Sequence, residues 1–338
     1  MPGASGTPKL SIVVLNYNYG RFLPECMRSI LDQTFTDFEV IIIDDCSKDD
    51  SVAIAQQFLS DQRVRLVSHE KNAGFTKSLI EGTEELSRGD LLTVISADDF
   101  VLRKDAFELQ VALLDRHPTA AYCFSAFDFL RPDGSSTHNS FPEECALGPA
   151  EALRSLIVCQ GVWPLHSGMI IRKQAYEKCG GYRRDVSMPL DLALFFDLAI
   201  VGGFAYTPHS LYGYRLHGTQ MTTSKTRKNV REIAQLVREA CDAGEARGFG
   251  TAALARRAVG DHLGAFAVYE AFAGNPRVAL DRWLAAAIEC PVETLVSRRL
   301  WSAAARAALG TTGFSVGRKL FRFPGKVVRQ FSTDSVES

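Results

Sequence analysis

Leu91-Leu92-Thr93-Val94-Ile95-Ser96-Ala97-Asp98-Asp99 is a short apolar run that stops on two adjacent carboxylates. Its length and β-rich side chains read as a buried strand. Carboxylates at the open end of such a strand can hold a divalent cation, and a cation there can neutralise the diphosphate of a nucleotide donor. Asp-Asp steps are also ordinary turn and cap chemistry, so the meaning of this pair depends on its surroundings.

Upstream, Ser11 to Asn16 predicts a first buried strand, Tyr17 to Arg21 a tight loop, and Pro24 to Gln33 a helix with Met27, Ile30 and Leu31 apolar. Phe38 to Ile43 predicts a second strand ending in Asp44 and Asp45. The spacing of Val52, Ala55, Phe58 and Leu59 predicts a helix over Ser51 to Ser60. Val64 to Ser68 follows as a third strand and Gly74 to Arg88 as a third helix. Strand runs alternating with helical spacing point to right-handed βαβ units and a largely parallel sheet. Ligands of such sheets sit beyond the carboxyl ends of the strands, where Asn16, Asp45, Asn72 and Asp99 fall. An acid after strand two also suits a dinucleotide ribose. That reading needs a Gly-x-Gly-x-x-Gly turn after strand one, and the chain has Asn16-Tyr17-Asn18-Tyr19-Gly20 instead.

The 338 residues are enough for one large domain and a smaller one, and the formal charge of −1 supplies no basic field for nucleic acid. The eight cysteines show no Cys-x-x-Cys pair and read as free thiols in a reducing compartment, Cys46 beside the strand-two acids included. Met1 to Thr7 lacks the charged and apolar pattern of a signal sequence, and no apolar run approaches the ~20 residues of a membrane span.

Downstream, a helix is expected over Lys104 to Asp115 and a strand over Ala121 to Phe129. Arg131-Pro132-Asp133-Gly134 is a turn, and Ser135 to Cys145 a polar loop able to cover the site. Helical stripes recur over Thr226 to Ala243, Ala252 to Ala273 and Val278 to Ile288. Ser297 to Phe331 carries eight basic residues and no acid, interleaved with Leu300, Trp301, Phe314 and Phe321, a pattern suited to a membrane surface or to a partner.

The run Ser11 to Leu23, the segment Ser29 to Ser47 and Ser96-Ala97-Asp98-Asp99 together resemble family 2 inverting glycosyltransferases of the GT-A fold, over about Pro8 to Met221. The resemblance implies an α/β fold of the GT-A nucleotide-diphospho-sugar transferase type, with a Rossmann-like, largely parallel sheet flanked by helices. The implied domains are a transferase domain over 8–223, a helical extension over 224–331 with a basic amphipathic end, and a disordered tail over 332–338.

The same resemblance implies site roles. Leu15 and Asn16 meet the base and ribose, Asn18 and Asn72 join the nucleotide-binding set, and Asp45 contacts uracil; on the residues alone, Asp44 and Asp45 equally suit a helix cap. Lys77 is placed near the diphosphate, with a solvated helix lysine as the alternative. Asp99 binds Mg²⁺ or Mn²⁺, and Asp98 bonds the ribose or supports the metal. Inversion needs a carboxylate that takes the acceptor proton as its oxygen attacks from the opposite face. Asp191 in Met188-Pro189-Leu190-Asp191 is the candidate, with a helix-start acid as its alternative. Arg215 and His217, in Tyr212-Gly213-Tyr214-Arg215-Leu216-His217, are expected at the diphosphate, although Arg215 could instead pair a buried acid.

Two positions depart from the family pattern: Leu190 stands where Glu precedes the catalytic Asp, and Ile80 where Asn precedes x-Gly82. The Gln-x-x-Arg-Trp signature of processive relatives is absent. The implied function is metal-dependent transfer of one sugar from a UDP-sugar to a glycan or lipid-linked acceptor, as in cell-surface polysaccharide synthesis. It implies a cytoplasmic location, with the basic end able to touch the inner face of the membrane. The competing expectation, motivated by Leu190 and Ile80, is a nucleotide-sugar-binding protein or scaffold that has lost turnover.

Overall fold

The structure, a computed structural model, describes residues 6–141, 143–159, 164–186, 189–217, 226–272 and 276–297. The expectations for the basic segment after Ser297, for the 332–338 tail, and for Met188 and Met221 lie outside the described residues.

The strands named from the sequence form at nearly the expected places: β1 (Leu10–Asn16), β2 (Phe38–Asp44), β3 (Val64–Ser68) and β4 (Leu91–Ser96). β1 pairs in parallel with β2 and β4, and β2 with β3. All seven residues of β1 and of β2 are buried. Because side chains alternate across a strand, Val13 and Leu15 enter one core while Ile12 and Val14 enter the other. A parallel strand covered on both faces has no polar side to show, which is why these runs read as continuous apolar sequence.

α1 (Leu23–Leu31) and α2 (Ser51–Gln56) connect these strands. The sheet continues through β9 (Ile170–Arg172), β6 (Tyr122–Leu130), β10 (Phe204–Arg215) and β5 (Phe100–Val101), giving the order β3-β2-β1-β4-β9-β6-β10-β5. β9 is antiparallel to both β4 and β6, which makes the sheet mixed. α4 (Ala106–Arg116) precedes β6, α5 (Pro149–Ile157) and α6 (Lys173–Cys179) flank β9, and α7 (Leu190–Gly202) precedes β10. α7 is apolar nearly all round and carries Phe195 and Leu198 into the core.

Three expectations change. Ser51 to Ser60 is helical only through Gln56. Gly74 to Arg88 is not one α-helix: α3 (Phe75–Ile80) passes into a π-helical turn over Glu81–Leu86. There Thr83 Oγ1 donates to the Leu79 carbonyl at 2.8 Å and Ser87 Oγ to the Gly82 carbonyl at 2.7 Å. The polar stretch after Gly134 is not all loop: β7 (Ser136–Asn139) pairs with β6, and β8 (Cys145–Leu147) with β10. β7 is largely exposed, so it carries no apolar alternation to betray it.

The C-terminal helices are α8 (Thr226–Glu245), α9 (Ala255–Phe272), α10 (Pro276–Glu289) and α11 (Pro291–Val296). Val230, Ile233, Val237 and Cys241 of α8 join the same buried cluster as Val13 and Phe195. No helix among the described residues is long and apolar enough to cross a membrane.

Candidate active site

The parallel register sets the site. Asn16 of β1 lies opposite Asp44 of β2, and Leu15 opposite Ser96 of β4, so the three strands end level with one another. A cavity of about 1250 Å³ opens beyond these ends, lined by Leu15, Asn16, Asn18, Asp45, Asn72, Asp98, Asp99 and Asp191. Residues from distant parts of the chain therefore face one space.

On the β1–β2 side, neither Asp44 nor Asp45 caps α2, contrary to the cap alternative. Asp44 accepts from Asn16 Nδ2 at 2.7 Å, Ser47 Oγ at 2.6 Å and Ser47 N at 2.9 Å, closing its own turn. The first turn of α2 is tied instead by Asp49, which takes Ser51 N at 3.1 Å. The Asp45 carboxylate accepts from Ala73 N at 2.6 Å, Gly74 N at 2.9 Å and His69 Nδ1 at 2.9 Å. Burial pushes the Asp45 carboxyl up, but these bonds outweigh it and hold the group below its ordinary value. Asn16 Oδ1 is buried with no hydrogen-bond partner among the described residues. An orphan acceptor at the cavity wall costs stability unless a ligand donor meets it.

Asn18, in the left-handed region at φ 58°, accepts from Lys48 N at 2.7 Å and so pins the loop after β1. Asn72 Nδ2 donates to the Asp45 carbonyl at 3.3 Å. Lys77 is exposed and lines a neighbouring depression with His69, Glu81 and Arg184, apart from the main cavity.

The acid pair is tightly framed. Asp99 Oδ2 accepts from Ser167 Oγ at 2.5 Å, and Asp98 Oδ2 lies 2.9 Å from His217 Nε2. Arg215 donates from Nη1 to the Asp98 carbonyl at 2.8 Å and pairs with Glu25 through Nη2 at 2.5 Å. The acid paired with Arg215 is the exposed Glu25, not the buried acid expected as its alternative to phosphate. Tyr19 and Phe22 pack against the His217 ring. Arg215 and His217 therefore brace the acids and are not part of the cavity wall. Burial, and then the neighbouring Asp98 charge, push the Asp99 carboxyl well above its ordinary value.

This is an environment that a cation relieves. Among the described residues no three His, Cys, Asp or Glu side chains converge as a ready-made cage. Mg²⁺ and Mn²⁺ sites of nucleotide enzymes, however, use one or two carboxylates completed by phosphate and water. Hard oxygen donors on Asp98 and Asp99, with repulsion between them, fit that requirement.

Asp191 sits in the first turn of α7, half-buried, with Oδ1 accepting from Leu192 N at 2.8 Å. Oδ2 has no hydrogen-bond partner among the described residues. Leu190, in place of the family Glu, is buried but lines the same cavity as Asp191, and Ile80 is buried. His166 lines the cavity beside Asp191 and bonds through Nε2 to Tyr182 Oη at 2.7 Å. Burial pushes the His166 pKa down, against the pull of Asp191. Ser167, His166, Tyr182 and His69 were not assigned roles from the sequence. Nothing in the sequence told which atoms these side chains would meet. Asn229, His262 and Arg282 of α8, α9 and α10 also line the cavity.

A family model described as glycosyl transferase family 2 matches residues 11–180. The chain belongs to glycosyl transferase family 2. Among its relatives, the chondroitin synthase of Escherichia coli is 28% identical over 219 residues, covering 64% of this chain and 30% of that protein. The uncharacterized glycosyltransferase YibD of Escherichia coli K12 is 31% identical over 232 residues, 64% of each chain. The chain thus spans less than two thirds of either relative. The fold is that of GT-A glycosyltransferases: S. aureus TarS 1–349 superposes with a TM-score of 0.61 at 15% identity, over 94% of this chain and 93% of that one. The same TarS fragment has been solved in complex with UDP and with UDP-GlcNAc.

Proposed function

We propose that this family 2 member is an inverting glycosyltransferase that moves one sugar from a UDP-sugar to a hydroxyl of a glycan or lipid-linked saccharide, with Mg²⁺ or Mn²⁺ bound at Asp98 and Asp99. The observation that carries the reading is that the acid pair at the end of β4 and Asp191 at the start of α7 face one cavity.

In this reading Leu15, Asn16 and Asp45 hold the uridine, Asp45 accepting from the base and the orphan Asn16 Oδ1 accepting from a donor hydroxyl or amide. Asn18 and Asn72 keep the loops around it in place. Asp98 and Asp99 fix the diphosphate end, and Arg215 and His217 keep those acids in register. A cation held by Asp98 and Asp99 would, when bound, supply Lewis-acid stabilisation of the charge on the leaving diphosphate. On the far side, Asp191 Oδ2 takes the proton from the acceptor hydroxyl. The acceptor O–H bond breaks, the acceptor oxygen bonds to the anomeric carbon, and the bond from that carbon to the diphosphate oxygen breaks. The nucleoside diphosphate leaves from the face opposite the attack, so the configuration inverts. Lys77, on the neighbouring depression, could meet diphosphate only from outside the present cavity wall.

A buried Leu190 beside Asp191 favours the second reading, a donor-binding protein without turnover. Calorimetric titration of UDP-, GDP- and dTDP-sugars, with and without Mn²⁺, into wild type, Asp99→Ala and Asp191→Asn separates the two. The transferase reading expects metal-dependent binding of one donor, lost in Asp99→Ala. Asp191→Asn should keep donor binding while slow hydrolysis or transfer falls about 10²–10⁴-fold. Wild-type turnover in Asp191→Asn would remove Asp191 from its role, and donor binding with no turnover in wild type would support the scaffold.

A further inference from the structure

His69 follows β3 directly and lies between two carboxylates that come from different elements. Its Nδ1 is 2.9 Å from Asp45 Oδ1, at the end of β2, and its Nε2 is 2.8 Å from Glu81 Oε2, at the start of the π turn. The imidazole side chain is 13% exposed and Asp45 7%, so water competes weakly for these contacts. A neutral ring has one N–H and one lone pair, and would direct that lone pair at a carboxylate oxygen. Only the doubly protonated ring donates to both acids.

Asp45 faces the cavity, whereas His69 and Glu81 line the depression on its other side. Two carboxylate oxygens offer about four acceptor sites in all. Ala73 N and His69 occupy Oδ1, and Gly74 N occupies one site of Oδ2. What is left is a single acceptor on Oδ2, the number that one base N–H requires. We propose that His69 is a positioning residue that locks Asp45 into the one orientation and charge state that reads the donor's base, with Glu81 holding the histidine proton. The inference rests on the nucleotide-donor reading given above and adds the group that makes Asp45 selective.

The two hydrogen bonds to carboxylates raise the His69 pKa against the opposing effect of burial. The other charged groups around the ring are Glu70, Lys71, Lys77, Glu85 and Arg184 on the walls of the same depression. Among the described residues none of these hydrogen-bonds or ion-pairs with the imidazole, so Asp45 and Glu81 are its charged partners. The sign follows. Stabilisation of the clamp is complete below the ordinary histidine value of about 6.5 and is lost as pH rises through the raised value in the folded chain.

The test is calorimetric binding of UDP to the full chain in Mg²⁺ across about pH 6 to 9, for wild type, His69→Gln and Glu81→Gln, with thermal melts confirming folding. Wild-type affinity should fall with rising pH. His69→Gln should bind UDP about tenfold more weakly at pH 6 and match wild type at high pH, the loss expected of one charge-assisted hydrogen bond. Glu81→Gln, which leaves Asp45 and the ring in place, should move the step to lower pH. Wild type that binds UDP with a pH profile shared by both folded variants would overturn the positioning role alone. Wild type that binds no UDP at any pH would overturn the nucleotide reading and this inference together.

Discussion

Ser167 Oγ donates a 2.5 Å hydrogen bond to Asp99 Oδ2 and accepts one from Ser96 N at 3.2 Å, joining the turn before β9 to the end of β4. One hydroxyl thus ties the candidate cation ligand to the acceptor-side half of the sheet.

Ser167→Ala leaves the buried Asp99 carboxylate with one donor fewer and Ser96 N without this acceptor. Loss of such bonds costs about 1–3 kcal/mol. The melting temperature should fall, and saturating Mn²⁺ should restore more of it in the variant than in wild type, because the cation replaces the missing neutralisation. An equal Mn²⁺ shift in the two proteins would show that Ser167 does not act through the cation site.

Glu39 sets the opposite end of β2. Its carboxylate accepts from Arg88 at 2.7 Å, Arg65 at 3.0 Å and Ser11 Oγ at 2.7 Å, and its side chain is only 4% exposed. Burial pushes its pKa up, but the Arg88 and Ser11 bonds prevail and hold it down. Glu39→Ala should cost about 1–3 kcal/mol, since it leaves Ser11 Oγ and Arg88 N without this acceptor, while the exposed Arg65 and Arg88 guanidinium groups turn to water. Chemical denaturation would measure this, and UDP affinity of the folded fraction should not change.

How far the chain could be read in advance depended on where the information lies. β1, β2 and β4 each carry an apolar run on both faces (Ile12 to Leu15, Val40 to Ile43, and Leu91-Leu92 with Val94-Ile95), so burial on both faces is written in the runs themselves. β7 is Ser136-Thr137-His138-Asn139, largely exposed, and exists because β6 offers it an edge; nothing local encodes that. The π turn is likewise a product of side-chain bonds from Thr83 and Ser87. Within the site, Asn16, Asp45, Asp98, Asp99 and Asp191 converge on one cavity because strand ends collect them, a rule available from topology. Lys77 does not join them, since one turn of α3 carries it to the neighbouring depression. His69, Ser167 and Tyr182 act through partners far away in sequence, and only the packed register shows those pairs.

Gly82 occupies the π turn where it crosses the sheet. A Cβ there would overlap Val13 Cγ1 and come within 2.9 Å of Ile43 Cδ1. In an open helix, alanine would be favoured over glycine by about 1 kcal/mol. Against two buried strand residues the overlap should reverse the sign, and Gly82→Ala should destabilise by about 1–3 kcal/mol. If the clash is the cause, Gly82→Ala should cost less in a Val13→Ala background than in wild type, a coupling read from the double-mutant cycle. An equal or greater cost in that background would point instead to the π geometry itself.

Asp197, in the middle of α7, gives the chain a pH signature outside the site. Burial, only partly offset by Arg183, pushes its carboxyl up to about 6. An unfolded aspartate titrates near ~3.9, so the folded chain holds this proton more tightly. The stability it contributes is complete below about pH 4 and is lost as pH rises through about 6. Asp197→Asn removes the buried charge and should stabilise the chain by about 2 kcal/mol at pH 8 while changing little at pH 4. Denaturation at the two pH values measures the difference directly, and a gain of equal size at both would assign the effect to packing rather than to ionisation.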